Sequence, residues 1–231
     1  MSILTAEDEK TILYAADVTP LKNEALYASA YAAVPEERRR RADRYVRADA
    51  RFLSIGAALL LKKALAEAGV FDAEFCFGEY GKPYLKNRSD VFFNISHSGN
   101  YVFCAVSNHE LGCDIERIRE VDLALAERFF RYDEYASVAA AVSPGERSVL
   151  FARYWTLKES FIKAAGCGLN LSLRDFRIVL SDDGASVEQS LDSRDYYFRE
   201  YDLIPGYRCA VCTVDAKCGT EPVLIDIAET I

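Results

Sequence analysis

Two acidic clusters have the residue types and spacing for chemistry: Asp114-Ile115-Glu116, and Glu159 inside Trp155-Thr-Leu-Lys-Glu-Ser-Phe-Ile-Lys163. In an extended strand, side chains at i and i+2 share a face. Leu111, Cys113 and Ile115 are therefore expected to point into a core, with Asp114 and Glu116 together on the other side. Two adjacent carboxylates repel each other unless a cation or a proton lies between them. Glu159, on a segment that also carries Lys158 and Lys163, can add a third oxygen ligand with positive charge nearby. Hard oxygen ligands in that number suit Mg²⁺, which takes one or two carboxylates together with waters and substrate phosphates. Taken singly, each cluster also has a plainer reading. The pair suits a solvated strand face, and Glu159 with Lys163 suits a surface i,i+4 contact worth a few tenths of a kcal/mol.

The rest of the chain must position these groups. Its 231 residues suffice for one large domain or two small ones, and 51% hydrophobic with 28% charged residues is an ordinary globular balance. A net charge of −8 argues against nonspecific nucleic-acid binding. Against that balance, Arg38, Arg39, Arg40, Arg41, Arg44, Arg47 and Arg51 form a dense basic block. The acidic start, residues 1–10, has no basic segment followed by an apolar run, so no secretory signal is expected. The apolar run from Ile55 to Leu61 is too short to span a bilayer, and a cytoplasmic location is expected. Seven cysteines without a repeated spacing read as inert thiols. Cys209 and Cys212 lie in a strand-like run, where i and i+3 face opposite sides, against a redox or zinc motif.

Strands are expected at Thr11–Ala16, Val91–Ile95, Tyr101–Val106 and Leu111–Glu116, and again near Phe176–Leu180, Tyr196–Tyr201 and Tyr207–Val214. Pro35 and Glu36 open an Arg-rich helix, and a second helix runs from Asp49 through Ala68 to a stop at Gly69. Asp122 is placed to cap a helix over Leu123–Phe130. A long helix from Glu146 to Ala165 ends at Gly166. Along it Leu150, Tyr154, Leu157, Phe161 and Ala164 form an apolar stripe, with Trp155, Glu159, Ile162 and Lys163 on the far side. Apolar residues on both sides imply a sandwiched helix that holds Glu159 and Lys163 at an internal surface. Glu79–Tyr84 and Ser96–Asn100 read as loops. The order of elements indicates an α/β (α+β) protein of two halves meeting near residue 108.

Five words in order now carry a resemblance: Tyr80-Gly-Lys-Pro83, Phe93-Asn-Ile-Ser-His-Ser-Gly99, Gly112-Cys-Asp-Ile-Glu116, Arg128-Phe-Phe130 with Glu134, and the segment Trp155 to Lys163, followed by Gly166-Cys-Gly-Leu169. The chain resembles the 4′-phosphopantetheinyl transferases of the long, single-chain type that activates peptide synthetases. That resemblance implies transfer of the phosphopantetheine arm of coenzyme A to a serine of an acyl or peptidyl carrier protein, releasing adenosine 3′,5′-bisphosphate. It implies two similar α/β subdomains related by pseudo-twofold symmetry, with coenzyme A and Mg²⁺ in the cleft between them. Residues 1–107 would take the nucleotide side, and residues 108–231 the metal and carrier docking. With both halves in one chain, a monomer is expected, with no nucleic-acid or membrane partner.

The resemblance also implies roles for individual residues. Asp114, Glu116 and Glu159 match metal-associated carboxylates, and Lys163 matches a phosphate-contacting lysine in the catalytic group. Glu134 matches a glutamate proposed to deprotonate the serine, with Glu159 acting through a metal-bound water as the alternative. Ser96 and His97 match contacts to coenzyme A phosphates, and Lys82 matches a nucleotide-side lysine. Lys158 is either a second phosphate contact or a surface lysine. In the arginine block the chain departs from the pattern: Glu37 falls where a basic residue is expected. Arg40 and Arg51 are the candidates for the nucleotide, with Arg38 or Arg44 as compensating groups. Gly168 through Leu173 would help receive the carrier. The rival readings are another Mg²⁺-dependent phosphohydrolase acting on nucleotides or coenzyme A, and a non-catalytic carrier-binding module.

Overall fold

The structure is a computed structural model that describes residues 11–218 and 220–231, except for the side chain of Leu169. The N-terminal segment read for a leader, residues 1–10, lies outside the described residues. The elements run β1 (Ile12–Asp17), α1 (Glu24–Ala33), α2 (Glu36–Asp43), α3 (Ala48–Glu67), β2 (Phe75–Phe77), β3 (Pro83–Leu85), β4 (Phe92–Ser98), β5 (Tyr101–Ser107) and β6 (Leu111–Arg117). There follow α4 (Leu123–Phe129), α5 (Tyr132–Ala139), α6 (Pro144–Ala165), β7 (Arg177–Ser181), β8 (Gly184–Glu188), β9 (Tyr197–Tyr201), β10 (Tyr207–Thr213) and β11 (Val223–Leu224).

Strict two-residue alternation builds the layers. On β1, Ile12, Tyr14 and Ala16 pack toward α3, while Leu13 and Ala15 turn to the opposite side. On β5, Val102, Cys104 and Val106 do the first, and Phe103 and Ala105 the second. The sheet β11-β1-β5-β4 thus has α3 on one face and the sheet β6-β10-β9 on the other. The second sheet repeats the pattern: Cys209 and Val211 face the first sheet, while Ala210 and Cys212 face the layer under α6. The order is helix, sheet, sheet, helix. Cys209 and Cys212 sit on opposite faces as free thiols, so no paired motif forms.

α6 starts at Ser143, whose hydroxyl accepts from the N–H of Glu146, with Pro144 at its first turn. It stops at Gly166, where φ of +76° gives the left-handed cap that glycine adopts at least cost. Its position over β6 depends on Gly112. A Cβ there would lie 2.2 Å from Ser160 O and 2.3 Å from Ala164 N, so the helix rests directly on that strand's backbone. No bulkier residue permits this approach.

Two expectations need correction. Ser96 to Asn100 is not a loop: β4 continues through Ser98, and a two-residue turn at Gly99 and Asn100 pairs Ser98 with Tyr101. The polar composition that reads as a loop belongs to strand side chains with partners across the interface. The second unit does not run unbroken from 108 to 231 either. β11 returns to pair in parallel with β1, and Ile227 packs into the core beneath α3. No described helix is long and apolar enough to cross a membrane.

Candidate active site

The edge strand β4 of one sheet lies alongside the edge strand β6 of the other, and side chains, not a backbone ladder, join them. Asn94 Oδ1 accepts from the N–H of Cys113 (3.0 Å), and Ser98 Oγ accepts from the N–H of Arg117 (3.1 Å). Lys163 Nζ donates to Cys113 O (3.3 Å), and Lys82 Nζ to Leu111 O (3.2 Å). An open sheet edge presents unpaired backbone groups that need partners when buried. Here the partners are the polar side chains around Asp114 and Glu116.

Asp114 is 3% exposed. Its Oδ1 accepts from Ser96 Oγ and from Lys163 Nζ, each at 2.6 Å. Its other oxygen, Oδ2, is buried without a hydrogen-bond partner. Glu116 Oε2 accepts from Ser98 Oγ at 2.7 Å. Burial lifts the Glu116 carboxyl above its ordinary value against the bond from Ser98, and the charge of Asp114 adds to the rise. Glu159, one turn before Lys163 on α6, is also raised, by burial first; Lys163 opposes the rise while Asp114 and Glu116 add to it. Burial works against the Lys163 ammonium, but Asp114 and Cys113 outweigh it and its pKa is raised. The fold therefore brings the three acids and Lys163 into one electrostatic cluster.

Among the described residues, no three His, Cys, Asp or Glu side chains enclose an ion by themselves. Mg²⁺ does not require such a cage, since waters and substrate phosphates complete its shell. An orphaned buried carboxylate oxygen beside two acids with raised pKa values fits a hard divalent cation.

His97 stands at the rim. Burial and the charge of Lys163 push its pKa down, and Arg41 adds to this. Arg38, one helical turn before Arg41, is pushed down by burial and by Arg41. The basic side of the cluster is thus Arg38, Arg41, His97 and Lys163. Arg40 instead projects into solvent in an i,i+4 pair with Glu36 (2.6 Å), and Arg51 Nε is committed to Tyr45 O (2.8 Å). Helical phase separates Arg38 and Arg41 from Arg40, so the spacing alone held that signal.

Three further expectations change. Glu134 is 1% exposed and Lys158 0%. They form an ion pair at 2.8 Å, and Glu134 also accepts from the N–H groups of Arg131 (2.9 Å) and Ile178 (2.7 Å). Lys158 completes its donors on Leu173 O (2.7 Å) and Phe176 O (3.0 Å). Neither has a face toward the cleft, so Glu134 is not available as a base, nor Lys158 as a phosphate contact. Lys82 donates to Leu111 O and to Ala164 O at the end of α6, both at 3.2 Å, tying the first half to the second rather than presenting its amine to a nucleotide. Burial pushes that amine down to about 8. The residues that sequence reasoning missed are Asn94, Ser98 and Arg41; for the first two the signal was a polar period of two along β4.

Two family profiles meet within the chain. One described as 4′-phosphopantetheinyl transferase, N-terminal, matches residues 19–109. One described as the 4′-phosphopantetheinyl transferase superfamily matches residues 110–212. A 4′-phosphopantetheinyl transferase of Bacillus subtilis is 40% identical over 185 residues, covering 78% of this chain and 82% of that protein. One from Aneurinibacillus migulanus is 35% identical over 184 residues, covering 78% of this chain and 76% of its own. At that identity and coverage, with both profiles in register, the chain belongs to the 4′-phosphopantetheinyl transferase superfamily.

Proposed function

We propose that this protein transfers the 4′-phosphopantetheine group of coenzyme A to a serine of an apo acyl or peptidyl carrier protein with the aid of Mg²⁺, releasing adenosine 3′,5′-bisphosphate. The observation that carries the reading is Asp114 Oδ2, buried without a partner beside two acids whose pKa values are raised. Asp114, Glu116 and Glu159 would hold the ion. Bound there, Mg²⁺ supplies charge neutralisation at the diphosphate.

The protein's own groups do the rest. Lys163 already lies against Asp114 and contributes a fixed positive charge for a phosphate. His97, with its depressed pKa, offers a neutral N–H to phosphate at pH 7, and Arg38 and Arg41 supply the cationic wall. With Glu134 buried in an ion pair, Glu159 is the remaining candidate to accept the serine proton. The turn after α6, Gly168 to Leu173, is the docking segment in this reading. Lys158 anchors it by its bond to Leu173 O. The clustered groups come from both halves of one chain, which supports action as a monomer. Seven unpaired cysteines support a reducing, cytoplasmic setting.

Intact-mass spectrometry tests the reading. An apo carrier incubated with this protein, coenzyme A and Mg²⁺ should gain the mass of one phosphopantetheine group, and Asp114→Ala should abolish the gain. Cleavage of coenzyme A with no change in carrier mass would instead make the protein a phosphohydrolase.

A further inference from the structure

β4 and β6 come from different halves and run side by side in matched steps. Ser96 meets Asp114, and two residues on, Ser98 meets Glu116. The two hydroxyls are wired alike. Ser96 Oγ accepts from Lys163 Nζ (3.0 Å) and donates to Asp114 Oδ1 (2.6 Å). Ser98 Oγ accepts from the N–H of Arg117 (3.1 Å) and donates to Glu116 Oε2 (2.7 Å). In each case the incoming N–H occupies a lone pair of the hydroxyl, which turns its proton toward an acceptor-only carboxylate. One oxygen of each carboxylate is held in this way, and on Asp114 the other is buried without a partner.

A glutamate side chain has three rotatable bonds, so a carboxylate intended for an ion needs an outside constraint to stand in one orientation. No residue of β6 or α6 gives Glu116 a hydrogen bond among the described residues; the one recorded comes from Ser98 across the interface. We infer that Ser98 is a positioning residue for the divalent-metal site: it fixes Glu116 from the opposite half, so metal affinity depends on how the two halves are docked. The inference rests on the reading of Asp114 and Glu116 as the metal pair. Hydrogen-bond partners of ligating carboxylates govern affinity in this way, and their loss costs roughly 10–100-fold in binding.

Titration calorimetry with Mn²⁺ on the full chain, in the presence of coenzyme A, tests it with four proteins: wild type, Asp114→Asn, Ser98→Ala and Ser98→Thr. Wild type should bind one Mn²⁺ and Asp114→Asn should lose it. Ser98→Ala should bind roughly 10–100-fold more weakly, while Ser98→Thr, which keeps the hydroxyl, should recover most of the affinity. In turnover assays the deficit should appear as a raised KM for Mg²⁺, with kcat restored at saturating metal. Thermal melts run alongside. An equal loss of melting temperature in the Ala and Thr variants, without recovery of affinity by Thr, would make Ser98 merely structural and overturn the inference. So would unchanged affinity in Ser98→Ala. If wild type bound no metal, or Asp114→Asn bound it normally, the metal-site reading itself would fall.

Discussion

Glu134 and Lys158 face each other at 2.8 Å, and neither side chain reaches solvent. The pair joins the start of α5 to the middle of α6, and through Leu173 O, Phe176 O and the N–H of Ile178 it holds the turn that leads into β7. A glutamate that reads as a base in sequence is the hub of the second half's core. Removing one partner of a buried pair leaves an uncompensated charge, costing about 3–5 kcal/mol. Glu134→Gln is therefore expected to lower the urea midpoint strongly while keeping kcat near wild type at a temperature where it stays folded. Glu134→Gln combined with Lys158→Met should recover part of the stability. A large fall in kcat with unchanged stability would return Glu134 to the reacting centre.

Lys82 sets a pH dependence. Its amine titrates at about 8 in the folded protein, below the ordinary lysine value, because burial penalises the charge. Between pH 8 and the ordinary value the unfolded chain binds the extra proton, so folding gains stability as pH rises through that window. Relative to Lys82→Met, the wild type should be least favoured near pH 7 and should gain steadily toward pH 9.5 in urea unfolding. A difference between the two that stays constant with pH would contradict the assignment.

Gly112 fixes how closely α6 approaches β6. A methyl group at this position would enter the backbone of Ser160 and Ala164, so Gly112→Ala must lift the helix that carries Glu159 and Lys163. Overpacking of this kind costs about 1–3 kcal/mol. The thermal shift produced by saturating Mg²⁺ should also shrink, since one wall of the site moves away from Asp114. If the variant kept both its stability and its Mg²⁺ response, the close approach would have no role in the site.

Local pattern was enough to find Asp114 and Glu116, because the i,i+2 rule and an apolar Leu111, Cys113 and Ile115 leave the acids one face. α6 was equally plain: Tyr154, Leu157, Phe161 and Ala164 are buried along one stripe, and Gly166 ends it. The serines of β4 were harder, since Ser, His and Asn near a glycine have the composition of a turn until the partner strand is known. Glu134 and Lys158 lie 24 residues apart, and nothing local distinguishes a buried ion pair from two surface charges. β11, of only two residues, carries no periodicity at all.

That short strand has a bearing on how the chain is made. Val223 and Leu224 complete a sheet whose other members lie before residue 108, and the connection between them is the whole of the second half. During synthesis, then, the flank of β1 beside Tyr14 and Ala15 waits unzipped while more than a hundred later residues emerge. The first sheet is thus sealed by residues translated long after its other strands, and a bulky insertion placed just behind Leu224 would load that seal directly.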